Sequence, residues 1–256
     1  MYRAGVINLK TPDQIEQMAA SGRVQTQALR LAVSKARPGV TTAEIDSAVE
    51  KFIRSQGGVP SFKGYKGFPG SICASVNDMV VHGIPGPRKL VKGDLISIDI
   101  GVTLDGWVSD AAVTVAVGGE PGAVASSLLE TTKQSLFDAI EQCQPGNRLG
   151  DVSHAVQERV EAAGFSVIRE LIGHGVGRQM HEEPQVPNYG APGTGPELKP
   201  GMVIAIEPMV NVGGPAIRMG DDGWAVYSAD GSLTAHFEFT VAITADGPRV
   251  LTPWHE

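Results

Sequence analysis

Over the first sixty residues, apolar positions return every three or four places, the period of helices that bury one face. Thr11-Pro12-Asp13 reads as a cap, a first-turn proline and an acidic first turn, opening a helix to about Ala36, where Arg37-Pro38-Gly39 stops it. A short strand is expected before it. Thr42 caps a second helix with Ile45, Ala48, Val49, Phe52 and Ile53 on one face, ended by Gly57-Gly58. Residues 59–81, rich in Gly, Pro and aromatics, read as a loop feeding one strand that His82-Gly83-Ile84-Pro85 closes. The period then shortens. Leu95-Ile96-Ser97-Ile98 suits a buried strand and Asp105-Gly106 a two-residue hairpin turn. With that turn Leu104 faces Trp107, Asp99 pairs with Ala112, and Asp110 lies one diagonal step from Asp99 on the same face, about 7–8 Å away. Asp110 alone suits a solvated sheet face equally well. Asp99, at the end of an apolar run, needs a cation or a donor to meet it.

The pattern then repeats. A third helix spans about residues 124–143 and a fourth about 151–163. At an offset of 107, Pro38 matches Pro145, Gly39 matches Gly146, Glu44 matches Asp151, Ile45 matches Val152 and Gly57 matches Gly164. At 108, KGDLISID aligns with PGMVIAIE, which sets Asp99 against Glu207. Asp110 and Glu238 align at no common offset. The reading is an α+β chain made of a pseudo-two-fold pair of α-α-β halves, roughly 12–118 and 119–256, whose sheets meet in the middle under covering helices. No Pro/Ser linker separates them, so residues 1–256 are taken as one domain, with function at the junction.

Composition narrows the partners. With 42% apolar and 19% charged residues the chain is ordinary globular protein, and a net charge of −7 without clustered Lys or Arg argues against a nucleic-acid surface. Small molecules or peptides fit better. Cys73 and Cys143 form neither a CxxC nor a disulfide framework, and no apolar run reaches signal-peptide or membrane-span length. A soluble, unexported protein of the cytoplasm is expected.

Chemistry concentrates in the second half. His174 and His181 flank Gly175 and Gly177 in ELIGHGVGRQMHEEP, without the HExxH spacing of helical zinc proteases. Either histidine alone also reads as a satisfied structural residue. Glu207 ends the apolar run Val203–Ile206, and Glu238 stands between Phe237 and Phe239. Asp99, Asp110, His174, Glu207 and Glu238 together are four carboxylates and one imidazole, which repel unless cations neutralise them. That donor set suits two Mn, Fe, Co or Zn ions about 3.5–4 Å apart, as in two-metal hydrolases.

At these residues the chain resembles the type I methionine aminopeptidases, of the pita-bread fold, in which a central curved antiparallel sheet is covered by helices. The likeness runs from IxLKTPDQIEQM through SFKGYKGFPGSICASVNDMVVHGIP, GHGVGRQMHEEP and LKPGMVIAIEPMVN to TAHFEFTVAITADG. The spacings of 11, 64, 33 and 31 between the five candidate ligands match that family, and the short last interval lacks the insertion that marks type II. What precedes the likeness looks like the bare bacterial form.

The resemblance implies removal of the first methionine from nascent polypeptides whose second residue is small, by dinuclear-metal hydrolysis. Asp99 would chelate one ion, Asp110 and Glu238 would bridge both, and His174 with Glu207 would complete the second. Glu207 would also move the proton, His181 would steady the carbonyl oxygen and His82 would contact the scissile nitrogen. Tyr65, Phe68, Cys73, Met180 and Trp224 fall where the family lines its methionine pocket, and Asn77 falls near a monovalent cation site. A monomer working near the ribosome exit region, without membrane or nucleic acid, is implied. Phe239 stands where the family commonly has His, and Ala111 where a hydroxyl residue is usual. The rival readings are an Xaa-Pro-directed pita-bread peptidase, which carries a separate N-terminal domain, and a non-catalytic binding homologue, which would be expected to lose ligands.

Overall fold

Helix α1 (Pro12–Lys35) opens with a capping box, Thr11 and Gln14 exchanging side-chain and backbone bonds in the computed structural model, which describes residues 6–255. The N-terminal strand expected before it lies partly outside the described residues, and residues 6–10 form no strand. Helix α2 (Thr42–Ser55) begins one place earlier than anticipated. Thr41 is its cap because Glu44, three residues on, returns a bond to the Thr41 backbone, while the Thr42 hydroxyl reaches across to the Gly86 carbonyl. Between α2 and the main hairpin, residues 59–81 hold three short strands in place of one: β1 (Val59–Pro60), β2 (Cys73–Val76) and β3 (Met79–Val81). Asn77, with φ of +62°, lets the chain reverse between the last two.

The hairpin is as expected. β4 (Leu95–Leu104) and β5 (Trp107–Ala116) pair without interruption, Leu104 opposite Trp107 and Asp99 opposite Ala112, so Asp99 and Asp110 share a face. Helix α1 lies on its other face: Gln25 donates to the Ile100 and Ala111 carbonyls, and Ser21 to that of Val102.

The second half comprises helices α3 (Ala123–Glu141) and α4 (Leu149–Ala162) and strands β6 (Ser166–Val167), β7 (Gly173–Gly175), β8 (Glu182–Val186), β9 (Val203–Ile206), β10 (Met209–Asn211), β11 (Ile217–Met219), β12 (Val226–Ser228), β13 (Thr234–His236), β14 (Phe239–Thr244) and β15 (Gly247–Val250). Its register repeats the first. α2 and α4 have the same length at a shift of 107, and the pairs Val59–Thr103 and Pro60–Val102 return as Ser166–Asn211 and Val167–Val210. Advancing β4 by 108 and β5 by 126 converts Ile98–Val113 and Gly101–Asp110 into Ile206–Phe239 and Met209–His236. The second hairpin is broken where the first is continuous. Pro208 has no N–H to give the ladder, and Glu207-Pro208 and Phe237-Glu238 face each other across the gap.

The halves are joined by two threonines that stand in for a ladder. Thr240 Oγ1 accepts from the Asp110 N–H at 3.0 Å and donates to its carbonyl at 2.8 Å. Thr114, its counterpart at the 126 shift, does both for His236 at 2.8 Å. Glu238 N–H donates to the Ala112 carbonyl between them. The main apolar cluster packs the helices on the sheets, and a second, with Phe62, Phe68, Cys73, Trp107 and Met180, lies beside the junction. Among the described residues no helix is long and apolar enough to cross a membrane.

Candidate metal centre

The junction opens into a cavity of about 330 Å³ whose wall includes Asp99, Asp110, His174, Glu207 and Glu238. Each is held by one of the features above. Asp99 and Asp110 stand on the unbroken hairpin, whereas Glu207 and Glu238 project from the two breaks of the second hairpin. His174 is on β7, paired with Ala205 of β9, and its Nδ1–H donates to the Gly175 carbonyl at 2.8 Å. That bond leaves the Nε2 lone pair facing Glu207 Oε1 at 3.7 Å and Asp110 Oδ2 at 3.8 Å, the arrangement of a metal-binding imidazole.

Among the described residues no lysine or arginine pairs with these acids, and the imidazoles beside them, His174 and His236, are held neutral by burial. Asp99 Oδ1, Asp110 Oδ1 and Glu238 Oε1 are buried with no hydrogen-bond partner. Burial, and then repulsion from the other carboxylates, holds Asp99, Glu207 and Glu238 well above the ordinary carboxylate range, and burial pushes Asp110 up to about 7. Ligand atoms of Asp110, His174 and Glu238 all lie within 4.8 Å of one another. Partnerless carboxylate oxygens around one neutral imidazole are a donor set for a hard or borderline divalent cation. Burial, with the nearby acids Asp99, Asp110 and Glu238, raises the Cys73 thiol well above its usual range, so it stays protonated and serves as apolar wall.

His82 and His181 stand exposed on the cavity's rim. His82 has a φ of +59°, a left-handed backbone uncommon outside glycine, which turns its ring toward the opening. His181 lies with its ring centroid 4.2 Å from that of His174, and its Nδ1 shares a hydrogen bond of 2.9 Å with the Tyr65 hydroxyl. Tyr65, Phe68, Cys73 and Trp224 also line the cavity, Phe68 edge-on to Trp224. Met180 does not reach this wall. It belongs to the cluster behind it, where its Cε lies over Gly101, so near that an added Cβ there would come within 2.6 Å. Phe62, Met209 and Leu171 line the cavity in its place.

The sequence profile of metallopeptidase family M24 matches residues 16–245. The chain belongs to this family. Its relatives include a methionine aminopeptidase of Clostridium perfringens, 50% identical across 96% of this chain and 99% of that one, and methionine aminopeptidase 1 of Bacillus subtilis, 49% identical with the same coverage. Among solved structures, the methionine aminopeptidase of Thermotoga maritima superposes with a TM-score of 0.94 at 45% identity, over 96% of this chain and 99% of that chain. The prolidase of Pyrococcus furiosus shares the fold, with a TM-score of 0.75 at 22% identity, and this chain spans 65% of its length. The M24 chain here therefore has the pita-bread fold, and its acidic cluster marks it as a metal-dependent hydrolase.

Two anticipated departures prove to lie off the cavity. Phe239 follows Glu238 on β14 and so points to the opposite face, where it is fully buried and stacks on Trp254. Ala111 likewise faces away from Asp110, toward α1. A histidine of the wall lies outside the site residues expected from sequence. His236, only 2% exposed, sets Nε2 at 3.7 Å from Glu207 Oε2 and 3.9 Å from Glu238 Oε2. The alternation Thr234, His236, Glu238 could have flagged it, since residues two apart on a strand share a face.

Proposed function

We propose that this chain removes the N-terminal methionine from polypeptides whose second residue is small, by hydrolysing the first peptide bond with a pair of divalent ions held by Asp99, Asp110, His174, Glu207 and Glu238. The observation that carries this is the junction cavity itself, in which partnerless acids, aromatic and apolar side chains and two exposed histidines line one space. The relatives' activity and their near-complete coverage of this chain agree with it.

Bound there, the ions would activate a water by lowering its pKa to about 7 and polarise the substrate carbonyl. Tyr65, Phe68, Cys73 and Trp224 would take the methionine side chain, whose unbranched thioether suits a socket of aromatics and a protonated thiol. Glu207 accepts the proton of the attacking water and returns it to the departing amine nitrogen, so the peptide bond breaks without net proton change. With the Tyr65 hydroxyl donating to Nδ1, His181 presents Nε2–H to the carbonyl oxygen as it gains charge. His82 meets the scissile nitrogen. A second residue larger than about Thr would crowd the ions. The rest of the peptide leaves along a wider groove of about 770 Å³ that shares His174 and His181 with the cavity.

A monovalent cation is also proposed near Asn77. Its ligands would be Thr234 Oγ1 and the Asn77 and Met79 carbonyls, which lie 3.2 and 3.1 Å from that hydroxyl, because the Asn77 side-chain amide is taken by Asp94 and the Leu95 N–H.

The test is hydrolysis of Met-Ala-Ser and Met-Phe-Ser peptides by chelated protein before and after readdition of Mn²⁺, Co²⁺, Fe²⁺ or Zn²⁺. Cleavage of the first peptide alone, restored by metal, is expected. Equal cleavage of both overturns the specificity, and cleavage only of Xaa-Pro peptides transfers the chain to the prolidase reading.

A further inference from the structure

Among the described residues, His236 Nε2 is the one buried side-chain nitrogen without a hydrogen-bond partner. It stands among acceptors in the same condition. Asp99 Oδ1, Asp110 Oδ1 and Glu238 Oε1 are also unpartnered, so a donor and three acceptors share one cavity. A buried polar atom left unpaired is expensive, and a chain that keeps one at a functional site has a use for it.

Register states where His236 belongs. At the shift of 126 it is the counterpart of Asp110, as Glu207 is of Asp99 at 108. Each member of that pair has its main chain bracketed on both N–H and C=O by the threonine of the other half. The His236 backbone is therefore as fixed as that of Asp110, and its ring is fully enclosed.

The ring's target follows from which oxygens it faces. His174 lies nearest Glu207 at Oε1, whereas His236 lies nearest its other oxygen, Oε2. The same Nε2 lies 3.9 Å from Glu238 Oε2. An N–H···O bond closes at about 3 Å, so a shift of less than about an ångström in either glutamate makes the contact. We propose that His236 is a positioning residue of this centre: its imidazole N–H grips the outer oxygens of Glu207 and Glu238 and sets how tightly the ion beside His174 is held. This rests on the metal-pair reading above. It assigns His236 no bond to an ion and no contact with substrate.

Mn²⁺ binding to the chelated full chain, followed by calorimetry, tests it. Native protein is expected to take up two ions. Outer-shell partners of metal ligands are worth about ten- to a hundredfold in affinity, so His236→Leu should weaken one binding step by that much and leave the other within about threefold. His236→Gln, whose amide reaches the Nε2 position, should restore the weakened step, whereas His236→Asn, a methylene shorter, should not. That pair of variants carries the test alone if the Leu variant fails to fold. The visible spectrum of the Co²⁺-loaded protein should keep its band positions in the Gln variant. Native-like affinity in the Leu or Asn variant makes His236 a packing residue and overturns the proposal. A Co²⁺ spectrum altered in the Gln variant makes it a direct ligand and does the same. Native protein that binds Mn²⁺ as described yet leaves Met-Ala-Ser intact would sink the proposed function while this inference stands.

Discussion

The two hairpins that face each other across the cavity have the same register and opposite construction. β4–β5 is an unbroken ladder carrying short aspartates, and its counterpart, β9–β10 with β13–β14, is interrupted at both glutamates. An aspartate on a closed ladder has little freedom, since a single side-chain torsion sets where its carboxyl carbon sits relative to a fixed backbone. A glutamate at a break has a longer side chain and a backbone free of the ladder's spacing. On the proposed function this is a division of labour: the first half would be a frame that fixes where a cation sits, and the second would supply the groups that adjust and exchange protons.

The sharpest way to break this division is at Glu207. Glu207→Gln keeps size and fold but cannot accept a proton, so turnover on Met-Ala-Ser should fall by about 10²–10⁴-fold with an unchanged thermal transition. Near-native turnover would remove Glu207 from proton transfer and erase the asymmetry.

A second expectation concerns the metal-free protein. Asp110 titrates near 7 in the folded chain, and about 3.9 is usual for an unfolded aspartate. The folded state thus binds more protons than the unfolded state between these values. Stability from this group is fully present below about pH 4 and is lost as pH rises through 7, and Asp99, Glu207 and Glu238, raised in the same direction, add to the loss. Thermal denaturation of chelated protein should show a transition falling from pH 5 to pH 8, and saturating Mn²⁺ should reverse the trend. A flat profile would mean that the acids are already neutralised without metal.

Thr114→Val and Thr240→Val test whether the halves depend on each other equally. Each removes two buried bonds to the opposite half, Thr114→Val also removes one to Ser97 of its own sheet that Ser97→Ala controls for, and each should cost about 1–3 kcal/mol in chemical denaturation. Losses differing by more than about 1 kcal/mol would show that one half leans on the other. The mildest test is Gly101→Ala in the frame, where the new Cβ meets Met180 Cε at 2.6 Å and Phe62 Cε1 at 2.8 Å. Overpacking of this kind should destabilise by about 1–3 kcal/mol, with the affinity for Mn²⁺ unchanged.

What could be read from the sequence divides along the same line. The Asp105-Gly106 turn settles the register of β4 and β5, and with it the shared face of Asp99 and Asp110, because a two-residue loop leaves no slack. The helices and β4 repeat at nearly one offset, which pairs Asp99 with Glu207 before any coordinates. His236 stayed hidden because β13 and β14 follow a different shift, 126, after residues 212–233 intervene where the first hairpin has two. An alignment at one offset cannot cross that insertion. The cap at Thr41 was missed because two adjacent threonines compete for the role, and only Glu44 decides between them. Met180 packs with Phe62, Phe68 and Cys73 against Gly101 and does not itself line the cavity, a placement that residue type alone does not show. The reversal at Asn77 needs a left-handed residue that no glycine announces.

The paired threonines also impose an order in time. Thr114 and Thr240 bind partners 122 and 130 residues away along the chain, and no nearer contact can stand in for them. A chain emerging from synthesis displays Asp99 and Asp110 long before β13 and β14 exist, as a lone pair of acids on a half-covered sheet. The cavity closes only when the last strands arrive. On the proposed function, metal uptake would be a late event of the protein's own biogenesis, and a chain truncated before β13 would carry Asp99, Asp110, His174 and Glu207 but lack Glu238 and His236.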